Sequence, residues 1–174
     1  MSTTPERFIW ALELMNIKPN EHVLEIGCGT GILSELIAEQ IESGSFLAID
    51  KSAQMIAKAK KRNQKYIDSY LSEFIVADFS KYILPSAHFD CIVAFNVNFF
   101  WKEPGKELEM IRQGLKDFGK LYIFYQAPYE ITISAADPIR KNLINNAFDI
   151  IDIKLKTLLP TSAICIIARP IKHH

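Results

Sequence analysis

The chain has 174 residues, 49% of them hydrophobic and 23% charged, a composition that excludes extended disorder and is large enough to bury a core without disulfides or metals. Lys plus Arg and Asp plus Glu number 20 each, so no net field draws the protein to nucleic acid or to an anionic membrane, and such a partner would need a local patch. A single domain across residues 1–174 is the expectation.

The opening Met1-Ser2-Thr3-Thr4-Pro5 lacks a basic segment followed by an apolar run, so no signal peptide is expected, and the terminal His173-His174 is read as a remnant without functional weight. Thr4-Pro5-Glu6 reads as an N-cap followed by proline in the first turn, and Phe8, Ile9, Leu12 and Met15 then recur at helical spacing, predicting a helix over about 5–16. Val23-Leu24-Glu25-Ile26 is a short buried strand that runs into Gly27-Cys28-Gly29-Thr30-Gly31. Ile32, Leu33, Leu36, Ile37 and Ile41 then resume the helical period.

Ser43-Gly44 breaks that helix, Phe46 to Ile49 forms a second strand ending at Asp50, and Ser52 caps a helix carrying Met55, Ile56 and Ala59. Strand three, Phe74 to Ala77, ends at Asp78; strand four, Phe89 to Phe95, opens into Asn96-Val97-Asn98-Phe99-Phe100-Trp101. Pro104 starts a helix through about Leu115, Gly119 ends a turn, and Leu121 to Tyr125 is strand five. Asp137-Pro138 starts a further helix to about Phe148.

Ile150 to Leu155 and Ala163 to Ala168 are separated by only Lys156 to Ser162, too short for a crossover helix, so these two strands pair antiparallel. The expected fold is therefore α/β: a three-layer α/β/α sandwich with a seven-stranded, mostly parallel sheet closed by a C-terminal antiparallel hairpin.

Three glycines at spacing two, between a buried strand and a helix, let the backbone turn tightly and meet a ligand without Cβ atoms in the way. The spacing is not the G-x-G-x-x-G of a dinucleotide site, and Glu25 two residues before Gly27 would repel a diphosphate yet could face an ammonium group. Asp50 leaves the same edge of the sheet, where a carboxylate can accept both hydroxyls of a ribose; an N-cap role is its alternative.

Val23-Leu24-Glu25-Ile26-Gly27-Cys28-Gly29-Thr30-Gly31, preceded by a helix and followed by the strand order above, resembles the first motif of the class I S-adenosylmethionine-dependent methyltransferases, over essentially the whole chain. The resemblance implies S-adenosylmethionine as cofactor, with S-adenosylhomocysteine as product, and direct displacement of the methyl group. It also implies that Gly27, Cys28, Gly29 and Gly31 wall the methionine and ribose portions. Glu25 would lie near the methionine end, Asp50 on the ribose, Lys51 and Met55 beside the adenine, Asp78 on the adenine amino group, and the Phe79 backbone on the ring edge. Asn96 would meet the methionine moiety from the catalytic side.

Candidates for the acceptor surface are Asn98, Phe99, Trp101, Tyr125 and Tyr129, whose rings could stack on a flat or cationic acceptor or pack beneath the opening helix. No catalytic base is assigned, because His22 and His88 each precede a strand and so belong at the opposite edge of the sheet. The cluster Lys58, Lys60, Lys61, Arg62 and Lys65 reads as a solvated helix end rather than a nucleic-acid site. Cys28, Cys91 and Cys165 are odd in number and widely spaced, which suits a reducing, cytoplasmic setting, and no residue set has metal-ligand spacing. No apolar stretch reaches the ~20 residues of a membrane span.

The expected partner is a small-molecule methyl acceptor of unidentified atom type. A methyltransferase acting on protein or RNA, a cofactor-binding module without turnover and a nicotinamide oxidoreductase are the alternatives, and oligomeric state is not legible.

Overall fold

The computed structural model describes residues 4–171, so the readings at Met1–Thr3 and at His173-His174 lie outside the described residues. The chain forms two compact units, one running to Tyr82 and one starting at Ile83.

In the first unit, helix α1 (Glu6–Met15) buries Trp10, Ala11 and Met15, the apolar stripe that the sequence spacing marks. Its N-cap is Pro5 and not Thr4: Pro5 is extended (φ −59°, ψ 133°) and cannot offer a side-chain oxygen, so the helix begins at Glu6 without a capping bond. Strand β1 (His22–Ile26) leads through the glycine loop into α2 (Ile32–Ala38), and β2 (Ser45–Asp50) leads into α3 (Ala53–Arg62). Ser52 caps α3 as expected, its Oγ accepting from the Met55 amide at 3.3 Å. A short helix α4 (Gln64–Asp68) that the apolar period does not announce precedes β3 (Ser72–Val76). β2 pairs parallel with both β1 and β3, with Leu24 opposite Leu47 and Ala48 opposite Phe74.

The second unit contains β4 (Phe89–Phe95), α5 (Gly105–Gly114), β5 (Leu115–Gln126), α6 (Asp137–Asn145), β6 (Phe148–Lys156) and β7 (Ala163–Pro170). β4 pairs parallel with β5, and β7 lies antiparallel to both β5 and β6, so the closing hairpin is present. β5 starts six residues before the expected position. Leu115 already pairs with Phe89, but the next pair is Cys91 with Lys120, so residues 116–119 bulge outward and leave Phe118 95% exposed. Gly119 closes this bulge because a Cβ there would stand 2.8 Å from the Phe89 carbonyl oxygen. Asp137 is the first residue of α6 rather than its cap, with Pro138 in the first turn.

The seven strands run in the order β3-β2-β1 in the first unit and β4-β5-β7-β6 in the second, mostly parallel with a C-terminal antiparallel pair. Among the described residues, no helix is long and apolar enough to cross a membrane.

Candidate active site

In the first unit the expected cofactor residues gather at the C-terminal ends of β1, β2 and β3. The β1–β2 ladder continues into the loop, where the Gly27 and Cys28 amides both donate to the Ile49 carbonyl at 2.7 and 3.2 Å. This draws Asp50 under the glycine turn. Its Oδ2 accepts from the Gly29 amide and its Oδ1 from the Ser52 amide, each at 2.9 Å. A carboxylate offers about four lone-pair sites, so each oxygen keeps one for a further donor, the arrangement that a vicinal diol needs.

The glycines divide their work. A Cβ on Gly29 (φ +55°) would meet nothing within 4 Å, so its face borders open space. A Cβ on Gly31 (φ +76°) would collide with Ala59 at 2.9 Å and with Asn63 Nδ2 at 2.8 Å. Gly29 leaves room for a ligand, whereas Gly31 lets α3 close on the loop.

Glu25 is only 2% exposed, and Ser34 Oγ donates to its Oε2 at 2.5 Å. Burial pushes the Glu25 carboxyl up to about 8; the Ser34 hydrogen bond opposes the rise and the Asp50 charge adds to it. At neutral pH the group is therefore mostly protonated in the free protein. Beside it, burial together with the Glu25 and Asp50 charges raises the Cys28 thiol well above its usual range, which leaves Cys28 an unreactive filler of the turn.

Asp78 leaves β3 exposed and caps a 3-10 turn (Phe79–Lys81), its Oδ1 accepting from the Ser80 amide at 3.1 Å and from Ser80 Oγ at 2.8 Å. These bonds, with Lys81 and Lys51 nearby, hold its carboxyl below the usual range. Lys51 is exposed, Met55 half-buried and Phe79 buried. Asp78 thus does the turn work of an ordinary aspartate while staying at the edge where Asp50 emerges.

In the second unit the ends of β4 and β5 carry Asn96, expected on the methionine side of the cofactor, and the expected acceptor residues. Asn96 takes a left-handed conformation (φ 55°), and its side-chain amide exchanges two hydrogen bonds with the Gln126 backbone, at 2.9 and 3.1 Å. Both amide groups are spent on tying the strand ends, so any further contact must use a remaining lone pair or proton. Trp101 and Tyr125 pack with ring centroids 4.6 Å apart, and Tyr129 hydrogen-bonds Tyr125, whose hydroxyl it holds above its usual range together with burial. Phe99 packs on Phe100 at 4.3 Å, and Asn98 is exposed. Trp101, Tyr125 and Tyr129 therefore come together as an aromatic group, with Phe99 and Asn98 on the adjoining turn.

His22 starts β1, its Nδ1 2.7 Å from Ser45 Oγ at the start of β2, and His88 precedes β4; neither lies at a C-terminal strand end. Among the described residues no group of His, Cys, Asp and Glu side chains converges as metal ligands.

Residues that the sequence reading missed support both groups. Ser34 falls on the buried face of α2 between Leu33 and Ile37, and a small hydroxyl on an apolar stripe is the signal that could have revealed it. Asn63 continues the buried stripe of Ile56 and Ala59 at helical spacing, a polar residue where a hydrophobe belongs. In the second unit Asn142 Nδ2 donates to the Phe100 and Lys102 carbonyls at 2.8 and 3.1 Å and holds the turn that bears Phe99 and Trp101.

The sequence model of a family described as "Methyltransferase domain" matches residues 23–119. The chain is 24% identical over 165 residues to "Uncharacterized methyltransferase YdaC" of Bacillus subtilis, covering 92% of this chain and 89% of that protein. It is 31% identical over 117 residues to "Ubiquinone/menaquinone biosynthesis C-methyltransferase UbiE" of Pseudomonas savastanoi pv. phaseolicola, covering 66% of this chain and 45% of that one, so it spans less than half of that relative's length. Among solved structures, a "SAM dependent methyltransferase from Aquifex aeolicus" superposes with a TM-score of 0.73 at 20% identity, covering 92% of this chain and 88% of that one.

Proposed function

We propose, from the premise that this chain belongs to the family of methyltransferase domains, that it acts as one domain across residues 1–174 and methylates a small molecule in the cytoplasm. It is an S-adenosylmethionine-dependent methyltransferase. The observation that carries the site assignment is the open face of Gly29 above Asp50, whose two carboxylate oxygens each keep a lone pair after accepting from Gly29 and Ser52.

When bound, the cofactor supplies a sulfonium-activated methyl group. Asp50 would accept the ribose hydroxyls, and Gly27 to Gly29 would let the backbone lie against the ligand. Glu25 would face the methionine ammonium, losing its proton to do so. Lys51 and Met55 would flank the adenine, with Asp78 accepting its amino group through the oxygen that does not cap the turn and the Phe79 backbone on the ring edge. Asn96 would close the methionine side.

The Trp101, Tyr125 and Tyr129 group, with Asn98 and Phe99, would receive the acceptor. The raised Tyr125 value disfavours its use as a base and suits its hydroxyl to hydrogen bonding. Displacement of a sulfonium-borne methyl needs alignment and exclusion of water more than a dedicated base. A small-molecule acceptor is supported by the name of the Pseudomonas relative. It is supported too by the cationic cluster running from the end of α3 into α4, where Arg62 is engaged with Thr30 and Glu35 and Lys65 lies over the Tyr66 ring, leaving less free charge for phosphates.

Incubation with methyl-labelled S-adenosylmethionine and a metabolite extract, against protein and RNA fractions, tests the reading. Label in a low-molecular-weight product supports it. Label confined to macromolecules would transfer the assignment to protein or RNA, and turnover with none of the three would favour a binding module.

A further inference from the structure

The glycine loop is held from outside by the C-terminal end of α3. Asn63 is fully buried, and its Nδ2 donates to the Gly31 carbonyl at 3.1 Å and to the Ala59 carbonyl at 2.9 Å. Two carbonyl partners require an NH2 group at that position, so the orientation of the amide is fixed by chemistry. Its neighbour Arg62 donates from Nε to the Thr30 carbonyl at 3.2 Å and reaches Glu35 with its guanidinium at 3.4 Å. Consecutive carbonyls of the loop thus have consecutive donors at the end of α3, the Gly31 carbonyl accepting from the Glu35 amide as well, at 3.1 Å.

The consequence follows from the planar trans peptide. Fixing the Thr30 carbonyl fixes the opposed Gly31 N–H, which donates to Cys28 O at 3.0 Å, and fixing the Gly31 carbonyl fixes the opposed Ile32 N–H. Glycine-rich turns can flip such peptides at low cost, because glycine populates both signs of φ. Anchoring them selects one form of the loop before a ligand arrives, and ordering completed in advance is not charged against binding. The same loop carries the Gly29 amide to Asp50, so the anchors act on the groups assigned to the ribose.

We propose that Asn63, seconded by Arg62, is a positioning residue for the cofactor: it touches no ligand but sets the conformation of the Cys28–Gly31 turn that binds one. This rests on the assignment of the glycine loop as the S-adenosylmethionine site.

Asn63→Asp is nearly isosteric but turns an oxygen toward the Gly31 and Ala59 carbonyls. Arg62→Met removes the Thr30 bond at a half-exposed position that leaves no buried hole, and Glu35→Gln removes only the ion pair. Calorimetric titration with S-adenosylhomocysteine is the first readout. Its dissociation constant is expected to rise ~10-fold in Asn63→Asp and ~3-fold in Arg62→Met, the range of one lost or reversed hydrogen bond, and to stay unchanged in Glu35→Gln. The amide resonances of Gly29, Thr30 and Gly31 are the second readout and should shift in the first two variants. Phe74→Leu, on β3 where Phe74 packs against Phe46, serves as a control for stability loss alone.

Unchanged affinity in a folded Asn63→Asp would overturn the proposal, as would an equal loss in Phe74→Leu at matched thermal stability. If Asn63→Asp does not fold, Arg62→Met decides, and unaltered affinity and glycine resonances there would overturn it. A wild-type protein that binds no S-adenosylhomocysteine would instead sink the site assignment itself, and the proposal with it.

Discussion

Glu25→Gln exchanges a buried carboxyl for a neutral group of the same shape, and its effect on stability should reverse in importance with pH. The folded protein holds the Glu25 proton up to about pH 8, whereas the unfolded chain releases it near 4.5. Between these values the folded state binds more protons, so stability falls as pH rises through the window and the penalty is complete above 8. The difference corresponds to on the order of 4–5 kcal/mol, an upper figure that relaxation around the buried charge will reduce.

The variant carries no such penalty. At pH 8.5 it should unfold ~2–4 kcal/mol harder than the wild type, a gain of about 5–15 °C for a chain of this size, whereas near pH 5 the two should agree within ~1 kcal/mol. Denaturant melts at the two pH values measure this. The same substitution should weaken S-adenosylmethionine binding, because the carboxylate that faces the ammonium is gone. Titrations in buffers of different ionisation enthalpy should show close to one proton released per cofactor by the wild type at pH 7 and none by the variant. Equal stability of wild type and variant at pH 8.5, or no proton release by the wild type, would refute the account of Glu25.

Other substitutions separate the parts of the site. Gly31→Ala should destabilise the fold by ~2–4 kcal/mol, since the methyl meets Ala59 and Asn63 below contact distance at a positive φ; Gly29→Ala should cost the fold ~1 kcal/mol but abolish most cofactor affinity, as paired melts and titrations would show. Ser34→Ala removes the bond that lowers the Glu25 value, so the midpoint of pH-dependent stability should move further up in a pH series of melts. Tyr129→Phe should bring the Tyr125 titration back toward its ordinary value, read as the tyrosinate absorbance change against pH.

The residues legible in the sequence are those whose role follows from position along the chain. Gly27 to Gly31 stand between an apolar strand and a helix, Asp50 and Asp78 end strands, and the seven residues between the last two strands force them to pair antiparallel. Each of these signals is local. What escaped has a cause that is not local. Asn63 and Ser34 are polar residues inside apolar stripes, and their partners Gly31 and Glu25 lie 32 and 9 residues away, a pairing that no periodicity encodes. Arg62 belonged to a run of cations and so read as solvated, although it donates to Thr30. The early start of β5 escaped because a turn residue, Gly119, serves there to clear the Phe89 carbonyl within a bulge. The N-cap role weighed for Asp50 falls to Ser52, and the bonds that Asp50 and Asp78 accept in their turns leave lone pairs on each carboxylate.

The most direct test of the central claim is a calorimetric titration of the purified protein with S-adenosylmethionine, S-adenosylhomocysteine and NAD, repeated with Asp50→Ala. The account predicts micromolar binding of the first two, none of NAD, and a loss of ~1–3 kcal/mol in the variant through the missing charge-assisted ribose contact. Folded protein that binds neither S-adenosyl compound, or binds both as tightly without the Asp50 carboxylate, would contradict it.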